Sequence, residues 1–376
     1  MAGQIIAKGP KKWLVRVYIG RDGQGKRKYI AELVHGGKKE AEAKRAELLT
    51  QKTRGTLAVR PKERVGDYLD AWLETTVQPS VRARTLNDYT RVVDRYIRPY
   101  LAEAQLSKLS PVEVRAMLIA LRARGLSPRT VRMAHEVLRN ALEQAVSDRL
   151  IPDNPARARL VAKALPQKVR KEPVTITGDA VGNFLDVASG DRLAALWVLG
   201  LMSGLRPSEA LALRWSDVSG HTISVTRVLV DKKSGLEQHF EKPKSAASRR
   251  AVVVPDVVME SLRAHRKRQA EERLAAGPAW TDHELIFCDP TGNPLLQDST
   301  RHQFRKLCKA AELPPGMTVY GLRHSCATLL LEKGVPLKVV SERLGHSTIA
   351  LTADVYSHVT PSMQQQAADV LGDLAR

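Results

Sequence analysis

Four segments in the second half of this 376-residue chain carry side chains that packing alone does not call for. In Ser203-Gly204-Leu205-Arg206-Pro207-Ser208-Glu209 an arginine stands at a helix–turn–helix junction, and in Pro243-Lys244-Ser245 a lysine stands in the turn between two β-rich runs. Tyr320-Gly321-Leu322-Arg323-His324 opens a helix that Gly334 ends, and Leu344-Gly345-His346 is followed by Tyr356 within Tyr-Ser-His. Two arginines, a lysine, a histidine and a tyrosine suit phosphodiester chemistry without a metal. Arginine forks hold non-bridging oxygens and offset charge gained in a phosphorane-like transition state. A phenol can attack phosphorus and store the bond energy as an ester, while lysine or histidine can protonate the departing oxygen. Taken singly, each has an ordinary role: a surface ion pair, a core tyrosine, a helix cap.

These residues need a scaffold, and the chain is expected to supply three modules in a multidomain α+β arrangement. Residues 174–376 alternate helices with a small antiparallel sheet, giving a mixed, mainly α module. A buried helix spans Asp191 to Met202, β-rich runs span Thr222 to Val230 and Ser248 to Val254, and a basic amphipathic helix spans Asp256 to Ala275. Residues 61–160 read as all-α. Thr85 followed by Asp88 resembles a capping box, ahead of a helix expected to stop at Pro99. Ser110-Pro111 and Ser127-Pro128 put a cap serine and a first-turn proline in the favoured order. The second of these helices carries Val131, Ala134, Val137, Leu138, Ala141, Leu142 and Val146 as a 3.6-residue stripe. Pro152, Pro155 and Pro166 and the charged run before Pro173 mark 161–173 as a linker.

Residues 1–60 form a small β-sheet plus helix. Trp13, Val15, Val17 and Ile19 share one strand face, with Arg16 and Tyr18 on the other. A turn at Arg21–Gly25 leads to a second strand, from Lys26 to about Val34, and a helix from about Lys38 to Lys52. Lys26, Arg27 and Lys28 make a basic ribbon that can lie in a DNA major groove, or simply form a solvated face. Arg129 and Arg132, near a helix end of the middle module, can contact phosphates in the same way.

The charge supports this. The net formal charge is +20, of which residues 1–60 hold +10, residues 61–172 hold +8 and the remainder only +2. Basic blocks inside structured, periodic segments point to a polyanion, and DNA is the leading candidate. With 43% apolar residues and a mean hydropathy of −0.27, collagen, wholly disordered and membrane classes are excluded. The ten-residue apolar run from Leu193 to Met202 is half the length of a membrane span. Three cysteines without CxxC spacing argue against a zinc site or a disulfide framework. The N-terminus lacks the apolar run of a signal peptide, so the expected location is the cytoplasm.

In order and spacing the four segments resemble the tyrosine recombinases, specifically phage-type integrases, and the resemblance covers nearly the whole chain. Residues 203–211 resemble the family's first arginine box, 322–334 its second, and 344–347 with 352–359 its histidine and nucleophile boxes. The resemblance implies that Tyr356 forms a 3′-phosphotyrosyl link, that Arg206 and Arg323 clamp the scissile phosphate, and that His346 hydrogen-bonds it. It implies Lys244 as general acid, with Lys242 a nearby rival, and Glu209 as a support for the arginine geometry. It makes residues 1–60 an arm-type and 61–160 a core-site DNA-binding domain, with Arg16, Tyr18 and Lys26 to Lys28 as arm contacts. It further implies no ATP, no required metal and no other cofactor, a homotetramer on double-stranded DNA, an accessory bending or directionality protein, and a helical tail after Tyr356.

One position departs from the family pattern. Histidine usually stands three residues before the second arginine, and here Tyr320 does. A phenol with a pKa near 10 is a poor base at neutral pH, which leaves Tyr320 and the adjacent His324 as supporting groups. Two other readings compete with integrase: a DNA-binding regulator of the same fold without the chemistry, and a dimer resolvase or type IB topoisomerase. Five reactive groups in order argue against the first, and the arm-type module against the second.

Overall fold

The computed structural model describes residues 3–21, 25–53, 63–168, 172–230, 238–243, 246–356, 368–369 and 371–372. They divide into two compact units, 1–170 and 171–376.

The first unit opens with an antiparallel sheet of three strands, β1 (Gln4–Gly9), β2 (Lys12–Arg21) and β3 (Arg27–His35), in the order β1-β2-β3. β1 is one strand more than the sequence suggested. Its pairing sets Ile5 opposite Val15, after a turn in which Lys11 takes φ 56°. Val15 and Val17 are buried against Ala41 and Leu48 of helix α1 (Lys38–Thr53), as the alternation required. The other face carries Arg16, Tyr18 and Tyr29, with the Arg16 guanidinium 4.5 Å from the Tyr29 ring centre and the two tyrosines edge-to-face at 5.6 Å. Lys28 pairs with Gly20 and Arg27 with Arg21 beside a bulge near the end of the hairpin. Most of the expected turn, residues 22–24, lies outside the described residues.

Then comes a helical assembly: α2 (Val65–Trp72), α3 (Ala83–Val92), α4 (Arg98–Leu101), α5 (Pro111–Ala123), α6 (Pro128–Ser147) and α7 (Arg159–Ala164). Ser110 and Glu113 form a reciprocal capping box, and the Ser127 hydroxyl accepts the N–H of Thr130. The α6 stripe from Val131 to Leu142 is buried as expected. Two expectations fail here. α3 starts at Ala83 after an extended Arg82, so Thr85 lies inside the helix and Asp88 pairs with Arg91. Nor does Pro99 stop the chain. The helix widens into a π-type turn over 93–97, where Arg98 donates to the carbonyl of Val93, and Pro99 then sits in the first turn of α4, where its missing N–H costs nothing. The linker also starts later than 161, because α7 buries Val161 and Ala164 in this core. Arg132 donates to the carbonyl of Pro166 at 2.8 Å, while Arg129 is exposed.

The second unit holds α8 (Ala180–Ser189), α9 (Ala194–Ser203), α10 (Pro207–Ala210), strands β4 (Val218–Ser219), β5 (Thr222–Val225), β6 (Val228–Val230), β7 (His239–Glu241) and β8 (Arg250–Val253), then α11 (Asp256–Ala276), α12 (Gln297–Ala310), α13 (Val319–Glu332), α14 (Leu337–Leu344) and α15 (Ile349–Tyr356). Its sheets are small and antiparallel, β4-β5-β8 and β6-β7. α9 begins three residues later than expected, because Asp191 forms a turn ahead of it and accepts from the Leu193 backbone, the Trp197 indole and Gln303. Trp197, Phe184, Phe287 and Phe304 anchor the core. Among the described residues no helix is long and apolar enough to cross a membrane. Most of the expected tail helix after Tyr356 lies outside the described residues.

Candidate active site

α14 ends in a turn whose geometry organises everything around it. Gly345 adopts φ +67°, its N–H bonds the Glu342 carbonyl, and the His346 N–H bonds that of Ser341. This is a Schellman closure, and it leaves the last carbonyls of the helix pointing outward, at its negative end. Three successive carbonyls there accept from three different arginines. Arg250 Nε donates to Arg343 at 2.6 Å, Arg323 Nη2 to Leu344 at 2.8 Å, and Arg206 Nη2 to Gly345 at 3.2 Å.

Each arginine is held from a second side. Arg206 precedes α10 in extended conformation. Its Nη1 meets Glu209 Oε1 at 2.7 Å, and its backbone N–H meets Oε2 at 2.9 Å. Arg250 Nη2 takes the same Oε2 at 3.0 Å. Arg323, only 1% exposed, gives Nη1 to the carbonyl of Gly204 at 2.8 Å. Gly204 takes φ +68° after α9, and a Cβ there would meet Leu344 at 2.7 Å and the Cys326 sulfur at 3.2 Å. The close approach of α9, α13 and α14 thus depends on that glycine.

The electrostatics follow from burial and crowding. Burial, with Arg206 nearby, lowers the Arg323 pKa to about 10, still protonated at pH 7. Burial alone would raise the Glu209 pKa, but Arg250 and then Arg206 reverse this and hold it below the usual carboxylate range. One carboxylate therefore faces three guanidiniums, an excess of positive charge suited to an anion. His346 is lowered to about 4 by burial and then by Arg323, Arg206 and Arg250, so its ring is neutral at pH 7. Its Nδ1 lies 2.7 Å from the Thr352 hydroxyl. When Thr352 donates, the ring proton resides on Nε2, where it can be given to an acceptor. His324 is also lowered, by burial and Arg323, and lies edge-to-face with Tyr320 at 5.1 Å. Tyr320 is 43% exposed and borders a cavity of about 400 Å³ shared with Arg206, Leu211, Arg301, Phe304 and Arg305.

The structure thus brings together Arg206, Glu209, Arg323 and His346, with Tyr320 and His324 alongside on α13. Tyr356 closes α15, with its side chain outside the described residues, and Lys244 lies wholly outside them; Lys242 is exposed. Sequence reasoning missed Arg250 and Thr352. Among the described residues no group of three or more His, Cys, Asp and Glu converges as a metal site.

Known proteins agree with this architecture. The model of the phage integrase family matches residues 175–363, and that of the phage integrase N-terminal SAM-like domain matches 65–121. A tyrosine recombinase XerC-like protein of Caldanaerobacter subterraneus subsp. tengcongensis is 30% identical over 385 residues, covering 98% of each chain. An integrase of Streptomyces ambofaciens is 30% identical over 382 residues, covering 97% of this chain and 94% of its own. In fold, the chain resembles the Tn1549 transposon integrase solved with circular intermediate DNA (TM-score 0.69, 21% identity, 82% of this chain and 99% of that one). The chain belongs to the phage integrase family, tyrosine recombinases that cleave and rejoin DNA through a tyrosine intermediate.

Proposed function

We propose that this recombinase integrates and excises a phage or other mobile element at attachment sites in double-stranded DNA, with Tyr356 as its nucleophile. The observation that carries this is the convergence of Arg206, Arg323 and the His346 turn on one helix end beside a buried carboxylate. In the proposed reaction the Tyr356 oxygen, its phenol proton passing to solvent water, attacks the scissile phosphorus and displaces the 5′-oxygen, which takes a proton from Lys244. Arg206 and Arg323 hold the non-bridging oxygens, and neutral His346 donates a hydrogen bond from Nε2. A 5′-hydroxyl from the partner strand then attacks the phosphotyrosine and releases the enzyme, so the bond energy is conserved.

Residues 1–60 are proposed to bind arm sites through the sheet face bearing Arg16, Tyr18 and the Lys26–Lys28 ribbon, and the helical assembly to bind core sites. The +18 net charge of residues 1–172 supports this reading. Assembly as a tetramer on DNA, with an accessory bending or directionality protein, completes it. The test is covalent trapping in EDTA on a nicked duplex bearing a candidate core site from DNA flanking the gene. A DNA-linked band on a denaturing gel from the parent protein, absent with Tyr356→Phe, is expected. A band of equal strength from both would remove Tyr356 as the nucleophile.

A further inference from the structure

We propose that Arg250 is a positioning residue for strand cleavage, fixing both the Glu209 carboxylate that aligns Arg206 and the α14 turn that carries His346. This rests on the recombinase reading above and extends it to a residue with no assigned role. Arg250 opens β8 and bridges these two supports alongside the Arg206 guanidinium, on the other Glu209 oxygen and a different carbonyl of the α14 turn. Nη2 bonds Glu209 at 3.0 Å, Nε bonds the carbonyl of Arg343 at 2.6 Å, and Nη1 bonds that of Ser248 at 3.2 Å. Its side chain is 8% exposed and Glu209 is 1% exposed, so neither bond competes with bulk water. The Ser248 bond ties the same guanidinium to the short 3-10 turn, Ala246–Ser248, ahead of β8.

Without Arg250, the Glu209 carboxylate keeps only Arg206 as a direct ionic partner, with Arg323 as a more distant cation. Its Oε2 then keeps only the Arg206 backbone N–H, so the counter-ion that aligns the Arg206 guanidinium is less firmly fixed. The Arg343 carbonyl, at the end of a helix, also loses its donor, and the Gly345–His346 turn loses one of its three arginine anchors. Both losses act on orientation, and neither removes a group that touches the phosphate. A lysine at 250 can reach Glu209 but cannot fork to the Arg343 and Ser248 carbonyls as well. Removing one partner of a buried ion pair is costly in general, so stability must be read alongside rate.

The experiment compares parent, Arg250→Lys, Arg250→Gln and Tyr356→Phe full-length proteins on the nicked core-site duplex. It measures thermal unfolding, duplex affinity, and the single-turnover rate of covalent adduct formation from pH 5 to 9. Arg250→Gln is expected to bind the duplex within about threefold of the parent and cleave about 30- to 100-fold more slowly. Its acidic limb should move to higher pH, because a buried Glu209 that keeps only Arg206 protonates more readily. Arg250→Lys should recover about a third to a tenth of the parental rate. An unchanged rate and limb in Arg250→Gln, with the parent forming adduct, would overturn the proposal alone. If Arg250→Gln does not unfold cooperatively, the lysine variant decides: a parental rate and pH profile overturns positioning, and a slowed rate at intact affinity sustains it. No adduct from the parent would overturn the recombinase reading itself, and this inference with it.

Discussion

His346 carries its charge state as a consequence of its neighbours. Its pKa of about 4 lies below the unperturbed 6.5, so between these values the unfolded chain binds more protons than the folded one. The stability contributed by a neutral His346 is therefore complete above about pH 6.5 and is lost as pH falls toward 4. Glu209, also lowered, adds to the loss on the acid side. Thermal unfolding in phosphate-free buffers should show Tm falling over this range, with a shallower limb in His346→Gln; superimposable limbs would place the slope elsewhere. Tyr320 makes a different expectation. Its ring is exposed at the cavity edge rather than locked in the arginine network, so Tyr320→His should keep cleavage at or above the parental rate near pH 7. Abolished cleavage would mean that this position is not the family's histidine position.

Between elements, the decisive feature is the glycine that closes α14. A Cβ on Gly345 would stand 2.9 Å from both the Ala247 carbonyl oxygen and an Arg250 nitrogen, on a backbone at φ +67°. The left-handed conformation alone costs a non-glycine residue about 1–2 kcal/mol. Gly345→Ala should thus lower stability by at least that amount and slow cleavage about 100-fold or more, because its carbonyl is the one Arg206 uses; stopped adduct assays with a parallel melt would check both. Much of this scale was legible where the signal is local. Ser110 and Ser127 announce their helices through side chain and proline together, and the family resemblance already implied Glu209 as a support for the arginine geometry. Signals that depend on distant partners were not legible. β1 exists because Ile5 finds Val15, and the π-type turn ahead of Pro99 reflects packing rather than composition. α12 is mostly polar, with Phe304 and Leu307 as its large buried apolar residues, and no element is expected there from the sequence alone. Arg250 was hidden for the same reason: its carboxylate partner lies 41 residues away, and the Arg249–Arg250 doublet does not say which of the two turns inward.

Across the whole molecule, positive charge is concentrated in the first 172 residues, while the unit with the arginine cluster is nearly balanced. Affinity for DNA should then come mainly from the N-terminal part and chemistry from the other. Each phosphate contact removed lowers the slope of log affinity against log salt by about 0.9. Arg16→Ala or Lys28→Ala should weaken binding to arm-site DNA and reduce that slope by about one contact each, as titrations at several salt concentrations would show; an unchanged slope would take the sheet face off the DNA. Finally, the three cysteines are all buried, and burial raises each thiol pKa. Cys326 lies directly behind Gly204, whose carbonyl holds Arg323. A thiol reagent can reach it only when the packing of α13 against the α9 turn and α14 opens, a movement that would also loosen the carbonyls holding Arg323. The alkylation rate of Cys326, followed peptide by peptide, is thus a built-in clock for the opening of the active site, and bound DNA should slow it.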